Sequence, residues 1–414
     1  MWPLPPLFLR VMAVNVIIQV RKRLHAAGTE YMNNRHARSG TPRSNRNSPR
    51  LVAFRFCVAA FSVWAALSAC GTERNSASGV AAQSAEVDAL FAPLTQGIQP
   101  GAAVMVIRDG DILHQSGYGY ADLERRILIG ADSAFRLASV SKQFTAMAIM
   151  VLAESGEFAY DDPVSRYLPQ LTPYEGVTIR HLLTHTGGLP EYYDVIDSVS
   201  GRPTNADALS LLGQMAHADF VPGERYEYSN PGYDMLAPLV EAVSGMEFAD
   251  FMRDRVFVPA GMQHSLIYDH TGPVVAERVF GYKPDGDGYV LNDDDPLNGI
   301  VGSGGVYSTL KDFYQWDQAL YSERLVGSAA LEQAFTPAVL NSGDTCDYGF
   351  GWRIDNYEGR RRLRHGGSWV GFRTHIARYP DDRFTIVILS NRADFRPEDY
   401  VDPITDIYLG DGGP

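Results

Sequence analysis

The stretch LASVSKQFTAMAIM, residues 137–150, places Ser139 and Lys142 three positions apart at the start of an almost wholly apolar run. The run predicts a buried helix over residues 141–155. Lysine is rare in this chain, and the four that occur are Lys22, Lys142, Lys283 and Lys311. A lysine beside a buried helix is costly unless it is paired, or is neutral and has a chemical use.

The chemical use that this spacing indicates is activation of Ser139. Residues at i and i+3 share one helix face, and a serine at a helix start lies near free backbone N–H groups that favour negative charge. A serine hydroxyl is a weak nucleophile that needs a base, and a desolvated lysine can serve as that base.

The same spacing occurs at Ser308 and Lys311, so the pattern alone does not single out Ser139. There, Thr309 and Asp312 predict a capping box at the start of an amphipathic helix, and Lys311 is expected to reach solvent. We therefore interpret Ser308 as part of a helix start and not as a nucleophile.

Composition and charge exclude one broad class of function. The chain has 414 residues, of which 45% are hydrophobic, so it can bury a sizeable core in one large domain or two. Since the whole chain carries −13 and residues 1–70 carry about +9, the remainder carries about −22. A body this acidic argues against nucleic-acid binding, which requires basic patches.

The N-terminal region has the features of a targeting segment. Arg50 and Arg55 precede a short apolar stretch over residues 56–67, which is followed by small residues. Leu67-Ser68-Ala69-Cys70 resembles the bacterial lipoprotein lipobox, in which the cysteine is lipidated. This predicts a leader over 1–70, a flexible tether over 71–85 and a single domain over 86–414, anchored in the cell envelope and exposed to the periplasm or otherwise extracytoplasmic. An ordinary signal peptide or a short membrane anchor is the alternative, and Met32 is an alternative start.

The cysteine count is consistent with that assignment. Cys57 lies in the leader and Cys70 at the predicted lipidation site, which leaves Cys346 alone in the domain. One cysteine forms no internal disulfide and no cysteine-based metal site.

The order of elements predicts an α/β (α+β) fold. The stretch GAAVMVIRDGDILHQSGYGY, residues 101–120, predicts a hairpin around Asp109-Gly110, and residues 361–391 predict three more strands. The region between, about 140–330, has helical patterns over residues 141–155, 206–216, 233–244, 248–256 and 310–320, and a last helix is predicted over 397–409. We expect one antiparallel sheet formed from both ends of the chain, flanked by helices, with an inserted helical region and a cleft where the two meet.

Two further motifs carry polar chemistry. Tyr228-Ser229-Asn230 offers a tyrosine that could ionise beside a cationic lysine and an amide that can hold a substrate. The alternative is a turn at Asn230-Pro231-Gly232 with Tyr228 packed. His365-Gly366-Gly367-Ser368 ends a predicted strand, where glycines allow a close approach to the backbone; the alternative is a β-turn.

Ser139-x-x-Lys142, Tyr228-x-Asn230 and His365-x-Gly367, in this order and at these distances, resemble the serine β-lactamase and penicillin-binding-protein superfamily. The resemblance is closest to its class C β-lactamase-related branch, which includes esterases and D-amino-acid peptidases. It covers residues 86 to about 410. Further stretches that fit are HLLTHTGGLPEY (181–192), GSGGVYST (302–309), YGFGW (348–352) and HGGSWVGF (365–372).

The resemblance implies a role for each matching residue. Ser139 would be acylated, and Lys142 and Tyr228 would share the general-base and general-acid work, with Tyr228 activating the deacylating water. Asn230 would orient the acyl amide. The backbone N–H groups of Ser139 and Ser368 would form the oxyanion hole, and His365 and Gly367 would line the substrate site. No cofactor and no metal is implied.

His365 departs from the family's pattern, because true β-lactamases of this family have a lysine there. Histidine is mostly neutral near pH 7 and does not attract a substrate carboxylate as lysine does. Arg364 or Arg373 is a candidate substitute for that charge. We therefore expect an acyl-enzyme hydrolase of ester or amide bonds in small or peptide-like substrates. The alternatives are a class C-type β-lactamase or D-Ala-D-Ala carboxypeptidase, and a catalytically weak binder of cell-wall peptides or penicillin.

Other sites are less consistent with the sequence. His181 and His185 have metal-ligand spacing, but the glutamate of a zinc-protease motif is missing and no third ligand is evident. No serine has glycine at both −2 and +2, which excludes the α/β-hydrolase elbow. Aromatic residues near the motifs suggest an apolar substrate pocket, and they are Tyr192, Tyr193, Tyr226, Trp352 and Trp369.

Overall fold

The structure is a computed structural model, and it describes residues 77–196, 201–215, 217–270 and 272–410. The predicted leader, its Cys70 and the first part of the predicted tether lie outside the described residues. Within the described residues, no helix is both long enough and apolar enough to cross a membrane.

The strands lie mainly toward the start and the end of the described chain, and most of the helices lie between them. The strands are β1 Ala102–Arg108, β2 Asp111–Tyr118, β3 Tyr120–Asp122, β4 Ile127–Leu128, β5 Phe135–Arg136, β6 Leu266–Ile267, β7 Tyr282–Asp285, β8 Gly288–Leu291, β9 Val306–Ser308, β10 Ala338–Val339, β11 Thr345–Cys346, β12 Arg353–Tyr357, β13 Arg360–Trp369, β14 Phe372–Tyr379 and β15 Phe384–Ser390. The α-helices are α1 Ala77–Phe91, α2 Lys142–Glu154, α3 Ile179–Leu183, α4 Tyr193–Ile196, α5 Asn205–Gln214, α6 Asn230–Ser244, α7 Phe248–Phe251, α8 Val258–Ala260, α9 Leu310–Ala319, α10 Ser328–Ala334 and α11 Glu398–Leu409.

The main sheet has six antiparallel strands in the order β12-β13-β14-β15-β1-β2. Strand β1 pairs with β15, so that Ala102 lies opposite Ser390 and Arg108 opposite Phe384. At the hairpin between β1 and β2, Asp109 and Gly110 both have positive φ, of 53° and 85°, as a type I′ turn requires. The predicted sheet formed from both ends of the chain is confirmed.

Both faces of this sheet are covered, and strand β1 shows how. Ala102, Val104 and Val106 belong to the apolar cluster under α1 and α11. The alternate residues Ala103, Met105 and Ile107 belong to the larger core shared with the helical region. Because neighbouring side chains point to opposite faces, a strand buried on both sides is apolar at nearly every position.

Helix α1 corrects the predicted domain boundary. The flexible tether was expected over 71–85, but residues 77–91 form one helix, and Gln83 of that helix donates a hydrogen bond to the Ile407 carbonyl, 2.7 Å away. Val87 and Phe91 are fully buried against the sheet. The small residues of this segment form no apolar stripe at helical spacing, so the sequence did not predict a helix there. Packing of its C-terminal half against the sheet stabilises the helix.

The predicted helices of the inserted region are present with shifted ends. The run after Ser139 is helical over Lys142–Glu154 and follows a 3₁₀ helix, Ala138–Ser141. The helix predicted over 248–256 is instead a short α-helix that continues as a π-helix, Met252–Phe257. At the start of α9, Thr309 caps the helix as predicted. The second half of the capping box is wrong, because Asp312 accepts hydrogen bonds from the His264 backbone and the Ser265 hydroxyl instead.

Candidate active site

Ser139 lies on the 3₁₀ helix that leads into α2. The preceding residue, Ala138, has φ of 50°, in the left-handed region that residues with a Cβ seldom adopt. Such backbone strain persists where the surroundings fix it. Here Thr374 donates a hydrogen bond of 2.6 Å to the Leu137 carbonyl, and a Cβ on Gly367 would lie 2.3 Å from that same oxygen. The glycine thus allows β13 to lie directly against the turn that carries Ser139.

Lys142 is fully buried and reaches back toward that serine. Its Nζ lies 3.2 Å from Ser139 Oγ, 2.8 Å from Asn230 Oδ1 and 3.0 Å from the Ser303 carbonyl oxygen. These three acceptors match the three N–H donors of an ammonium. In the neutral amine, the two carbonyl-type acceptors hold two N–H groups and the lone pair is free for the Ser139 hydroxyl.

The protonation of Lys142 is set by burial. Loss of solvent lowers its pKa to about 7, because the charged form loses more hydration than the neutral one. The carboxylates of Asp234 and Glu191 act in the opposite direction, and the Arg353 guanidinium lowers the pKa further. A substantial fraction of Lys142 is therefore a free amine near neutral pH.

Tyr228 is close to both residues, with its ring centroid 4.9 Å from Lys142 Nζ. Burial raises the pKa of its hydroxyl to about 12, while the Ser139 hydroxyl and the Arg353 guanidinium lower it. The expectation that Tyr228 ionises beside the lysine is thus not supported in the free protein, because desolvation outweighs the nearby positive charge. Tyr228 therefore keeps its proton at neutral pH, whereas Lys142 loses its proton there in part.

Asn230 is the first residue of α6 and directs its side-chain oxygen to Lys142. The preceding Ser229 caps the helix by accepting a hydrogen bond from the Gly232 N–H, 3.2 Å away, and Pro231 is tolerated in the first turn. The alternative of a turn at residues 230–232 is therefore wrong, and the helix begins three residues earlier than residue 233, where we predicted it.

His365 is buried behind the site and has both ring nitrogens engaged within the protein. Nε2 lies 2.8 Å from the Tyr348 hydroxyl and Nδ1 lies 2.8 Å from the Gly366 carbonyl oxygen. Burial, followed by the charge of Lys142, holds its pKa well below the usual range. The neutral ring accepts from Tyr348 and donates to Gly366, so it offers no positive charge to a substrate.

The two arginines considered as substitutes for that charge are also engaged. Arg364 donates to Asp355 at 2.7 Å, and Arg373 donates to the backbone carbonyls of Val370 and Phe372. Neither guanidinium lines the cleft at Ser139.

The cleft in front of Ser139 lies between the sheet edge and the helical region. Ser368 and Trp369 come from the end of β13, Asn230 from the start of α6 and Ser303 from the loop before β9. Of the five aromatic residues expected near a substrate pocket, Tyr193 and Trp369 line the cleft, whereas Tyr192, Tyr226 and Trp352 do not. The other lining residues are Arg136, Ala138, Leu297, Ile300, Gly304 and Gly305.

Asp234 was not identified from the sequence, although it supports the site from one turn inside α6. Its carboxylate accepts hydrogen bonds from the hydroxyls of Tyr192 and Tyr193, at 2.7 and 3.0 Å, and from the Ser303 backbone N–H at 3.3 Å. It thereby holds the Ser303 segment whose carbonyl receives Lys142. Its i+4 spacing from Asn230 was the available signal.

His185 takes part in the site as a packing residue. Its ring centroid lies 4.3 Å from that of Tyr228, and its Nδ1 accepts a hydrogen bond of 3.1 Å from the Ser229 N–H. His181 instead accepts a hydrogen bond in the cap of α3. In the described part of the chain, no group of three or more His, Cys, Asp or Glu side chains is arranged to hold a metal ion.

Comparison with known proteins agrees with this geometry. The family model described as Beta-lactamase matches residues 87–408. Penicillin-binding protein 4* of Bacillus subtilis is 40% identical over 322 residues, which span 73% of this chain and 70% of that protein. D-aminopeptidase of Brucella anthropi is 29% identical over a region that spans 70% of this chain and only 56% of that protein.

Among solved structures, the octameric penicillin-binding-protein homologue from Pyrococcus abyssi superimposes with a TM-score of 0.69 at 28% identity, covering 80% of this chain and 77% of that chain. The fold and the site are those of a serine hydrolase, and Ser139 and Lys142 lie together at one helix start. The chain belongs to the Beta-lactamase family, which confirms the resemblance drawn from its motifs.

Proposed function

We propose that the protein is an acyl-enzyme hydrolase that cleaves ester or amide bonds of small or peptide-like substrates at Ser139. The observation that carries this proposal is the buried Lys142 amine, 3.2 Å from Ser139 Oγ, with its pKa lowered to about 7. A serine needs a base within hydrogen-bond reach, and this amine meets that requirement.

In the acylation step, Ser139 Oγ forms a bond to the substrate carbonyl carbon while its proton passes to Lys142 Nζ. The C=O π-electrons move to the carbonyl oxygen, which the backbone N–H groups of Ser139 and Ser368 would stabilise. Collapse of this intermediate breaks the bond to the leaving group. The leaving group takes a proton from Tyr228, which is protonated at neutral pH and is replenished from Lys142.

Deacylation repeats these steps with water as the nucleophile. Water transfers a proton to Lys142 and bonds to the acyl carbon. The bond from that carbon to Ser139 Oγ then breaks, Oγ takes the proton back from Lys142, and the acid leaves. Asn230 would hold the acyl amide, while its Oδ1 keeps Lys142 oriented at 2.8 Å.

The substrate class follows from the charge at the end of β13. Because His365 is neutral and bonded to Tyr348, we expect poor turnover of cephalosporins relative to short-chain 4-nitrophenyl esters. The names of the relatives, a penicillin-binding protein and a D-aminopeptidase, make D-peptides and their amides the next substrates to assay.

Intact-mass spectrometry after mixing with penicillin or an ester separates turnover from trapping. We expect a transient acyl mass on Ser139 and continued ester hydrolysis, both absent from Ser139→Ala. A persistent adduct without turnover would assign a penicillin-binding trap, and no adduct with either reagent would refute covalent catalysis. Lys142→Ala should lower acylation by about 10²–10⁴-fold in a protein that melts cooperatively.

We also propose that Cys70 is lipidated and holds the domain at the bacterial envelope, on the extracytoplasmic side. The basic, apolar and small-residue order of residues 50–70 supports this. Fractionation after metabolic labelling with a fatty acid should give a labelled membrane-bound protein, whereas Cys70→Ala should be unlabelled and released. Equal labelling of both would contradict the proposal.

A further inference from the structure

Arg136 lines the cleft three residues before Ser139 and is only 3% exposed. Its Nε and Nη2 are buried and have no hydrogen-bond partner among the described residues. These two nitrogens form one edge of the guanidinium, where two parallel N–H groups match the two oxygens of a carboxylate. A buried cation with an unused edge is costly for a protein to keep.

The surroundings of Arg136 hold it in place without neutralising it. Its guanidinium lies 5.7 Å from the ring centroid of Tyr268 and 5.3 Å from that of Tyr307. Arg278 contacts the same two rings, at 5.0 and 5.4 Å. The aromatic faces orient both guanidinium groups by cation–π attraction, but a ring face fills no N–H donor.

Only one carboxylate is engaged in this pair of arginines, and Arg278 has it. Arg278 Nη2 lies 2.5 Å from Asp293 Oδ2, and the other oxygen of Asp293 accepts from the Gly281 N–H at 2.8 Å. The Tyr307 hydroxyl is buried beside Arg136, whose guanidinium limits the rise in the pKa of that hydroxyl that burial causes. Two cations against one carboxylate leave an excess of one positive charge beside the cleft.

We propose that Arg136 binds a carboxylate of the substrate through its Nε–Nη2 edge, and thereby selects anionic substrates. This rests on the proposed function, because the cleft is the one in front of Ser139. A neutral His365 offers no positive charge to a substrate carboxylate. Arg136 would supply that charge instead, from the end of β5 on the Ser139 side of the cleft.

Two matched pairs of substrates test the proposal on both sides of the scissile bond. On the leaving-group side, N-acetyl-D-alanyl thioglycolate is compared with its thioglycolamide. On the acyl side, 4-nitrophenyl hydrogen adipate is compared with the corresponding adipamate. Each pair differs only in carboxylate against carboxamide, so the ratio of kcat/KM within a pair reports recognition of the charge.

We expect the wild-type protein to prefer the carboxylate in at least one pair by about 10- to 100-fold, the range of a charge-assisted hydrogen bond. Arg136→Gln should remove that preference by lowering kcat/KM for the carboxylate alone, and Arg136→Lys should retain a reduced preference, since it keeps the charge without the fork. Arg202→Gln is the matched control, because Arg202 is paired with Asp294 at the surface and its loss should leave the ratio unchanged.

No preference in the wild-type protein, or equal losses on both members of a pair in Arg136→Gln, would overturn the inference while the hydrolase assignment stands. If neither pair is hydrolysed by the wild-type protein, the proposed function fails instead. Thermal stabilisation by adipate against adipamide then still decides the inference, and it should occur in the wild-type protein and not in Arg136→Gln.

Discussion

Burying the Lys142 amine costs free energy of folding, and a chemical use of the amine accounts for that cost. The amine is fully enclosed, and its acceptors are two neutral carbonyl oxygens and a hydroxyl. The carboxylate of Asp234 does not contact it directly but holds the Ser303 backbone N–H. Asp234 thus acts on Lys142 from the far side of the Ser303 segment. Its negative charge limits the fall in the pKa of Lys142, but it forms no direct ion pair that would keep the amine protonated.

Hydrolysis should depend on pH through the protonation of Lys142. Lys142 must be neutral to accept the Ser139 proton, and its pKa in the folded protein is lowered to about 7. We therefore expect kcat/KM for a neutral 4-nitrophenyl ester to rise with pH and level off above that value. Stopped-flow assays between about pH 5 and 9, with Ser139→Ala as the background, measure this limb. A flat profile would show that another group is the base.

Asp234→Asn should shift this pH dependence. The Asp234 charge raises the pKa of Lys142, so its removal should move the acid limb of the profile to lower pH. Asn can keep one of the tyrosine hydrogen bonds. Asp312→Asn is the control, since that carboxylate is equally buried but bonds to His264 and Ser265. An unshifted limb in Asp234→Asn would leave the carboxylate only a structural role.

At the scale of elements, the site depends on contact between strand β13 and the turn before α2. The strand brings Ser368 to the cleft, and its glycine lets the backbones of the two elements meet. The two backbone donors of the proposed oxyanion hole belong to different elements, so neither element alone would form it.

Gly367→Ala should separate these elements. The new Cβ would lie 2.3 Å from the Leu137 carbonyl oxygen and 2.4 Å from Thr374 Oγ1, so the strand must shift. We expect ester kcat to fall by about 10²–10³-fold, as when an oxyanion donor is removed, with a loss of about 1–3 kcal/mol in unfolding free energy. Gly130→Ala, where a Cβ meets nothing within 4 Å, should change neither quantity. Wild-type kcat in Gly367→Ala would contradict the contact.

Periodicity and spacing predicted the helices and strands that carry the motifs, because apolar repeats and turn residues are local signals. Ser139, Lys142, Tyr228 and Asn230 meet as their motifs indicated. Asp234 and Arg136 were missed since their importance depends on which distant residues surround them. The bond of His365 to Tyr348 was missed for the same reason, because it links two elements that no local pattern pairs.

Across the whole domain, the sheet face that carries Ala102, Val104 and Val106 is covered by two helices. One of them, α1, comes from the start of the domain sequence, and the other, α11, comes from its end. Phe91 of α1 stacks on Tyr118 and on Tyr400, with centroids 5.0 and 4.6 Å apart. The first helix is therefore part of the core and not a linker to it.

Phe91→Ala should accordingly lower the free energy of unfolding by about 3–5 kcal/mol, through lost burial and the cavity left behind. Urea unfolding followed by circular dichroism measures the change, with the exposed Glu86→Ala on the same helix as control. If both variants unfold at the same urea concentration, α1 does not stabilise the domain.

The pairing of β1 with β15 has a consequence for biosynthesis. During translation, the hairpin of β1 and β2 emerges long before β15 exists, so the edge of β1 that will pair with β15 stays unpaired. Contacts between residues so distant in sequence slow folding. They also leave an unpaired strand edge, which is prone to aggregation, exposed in the nascent polypeptide. A ribosome stalled before β15 should hold a chain that is sensitive to protease and inactive, whereas a chain released after α11 should become protected and active as β15 pairs with β1.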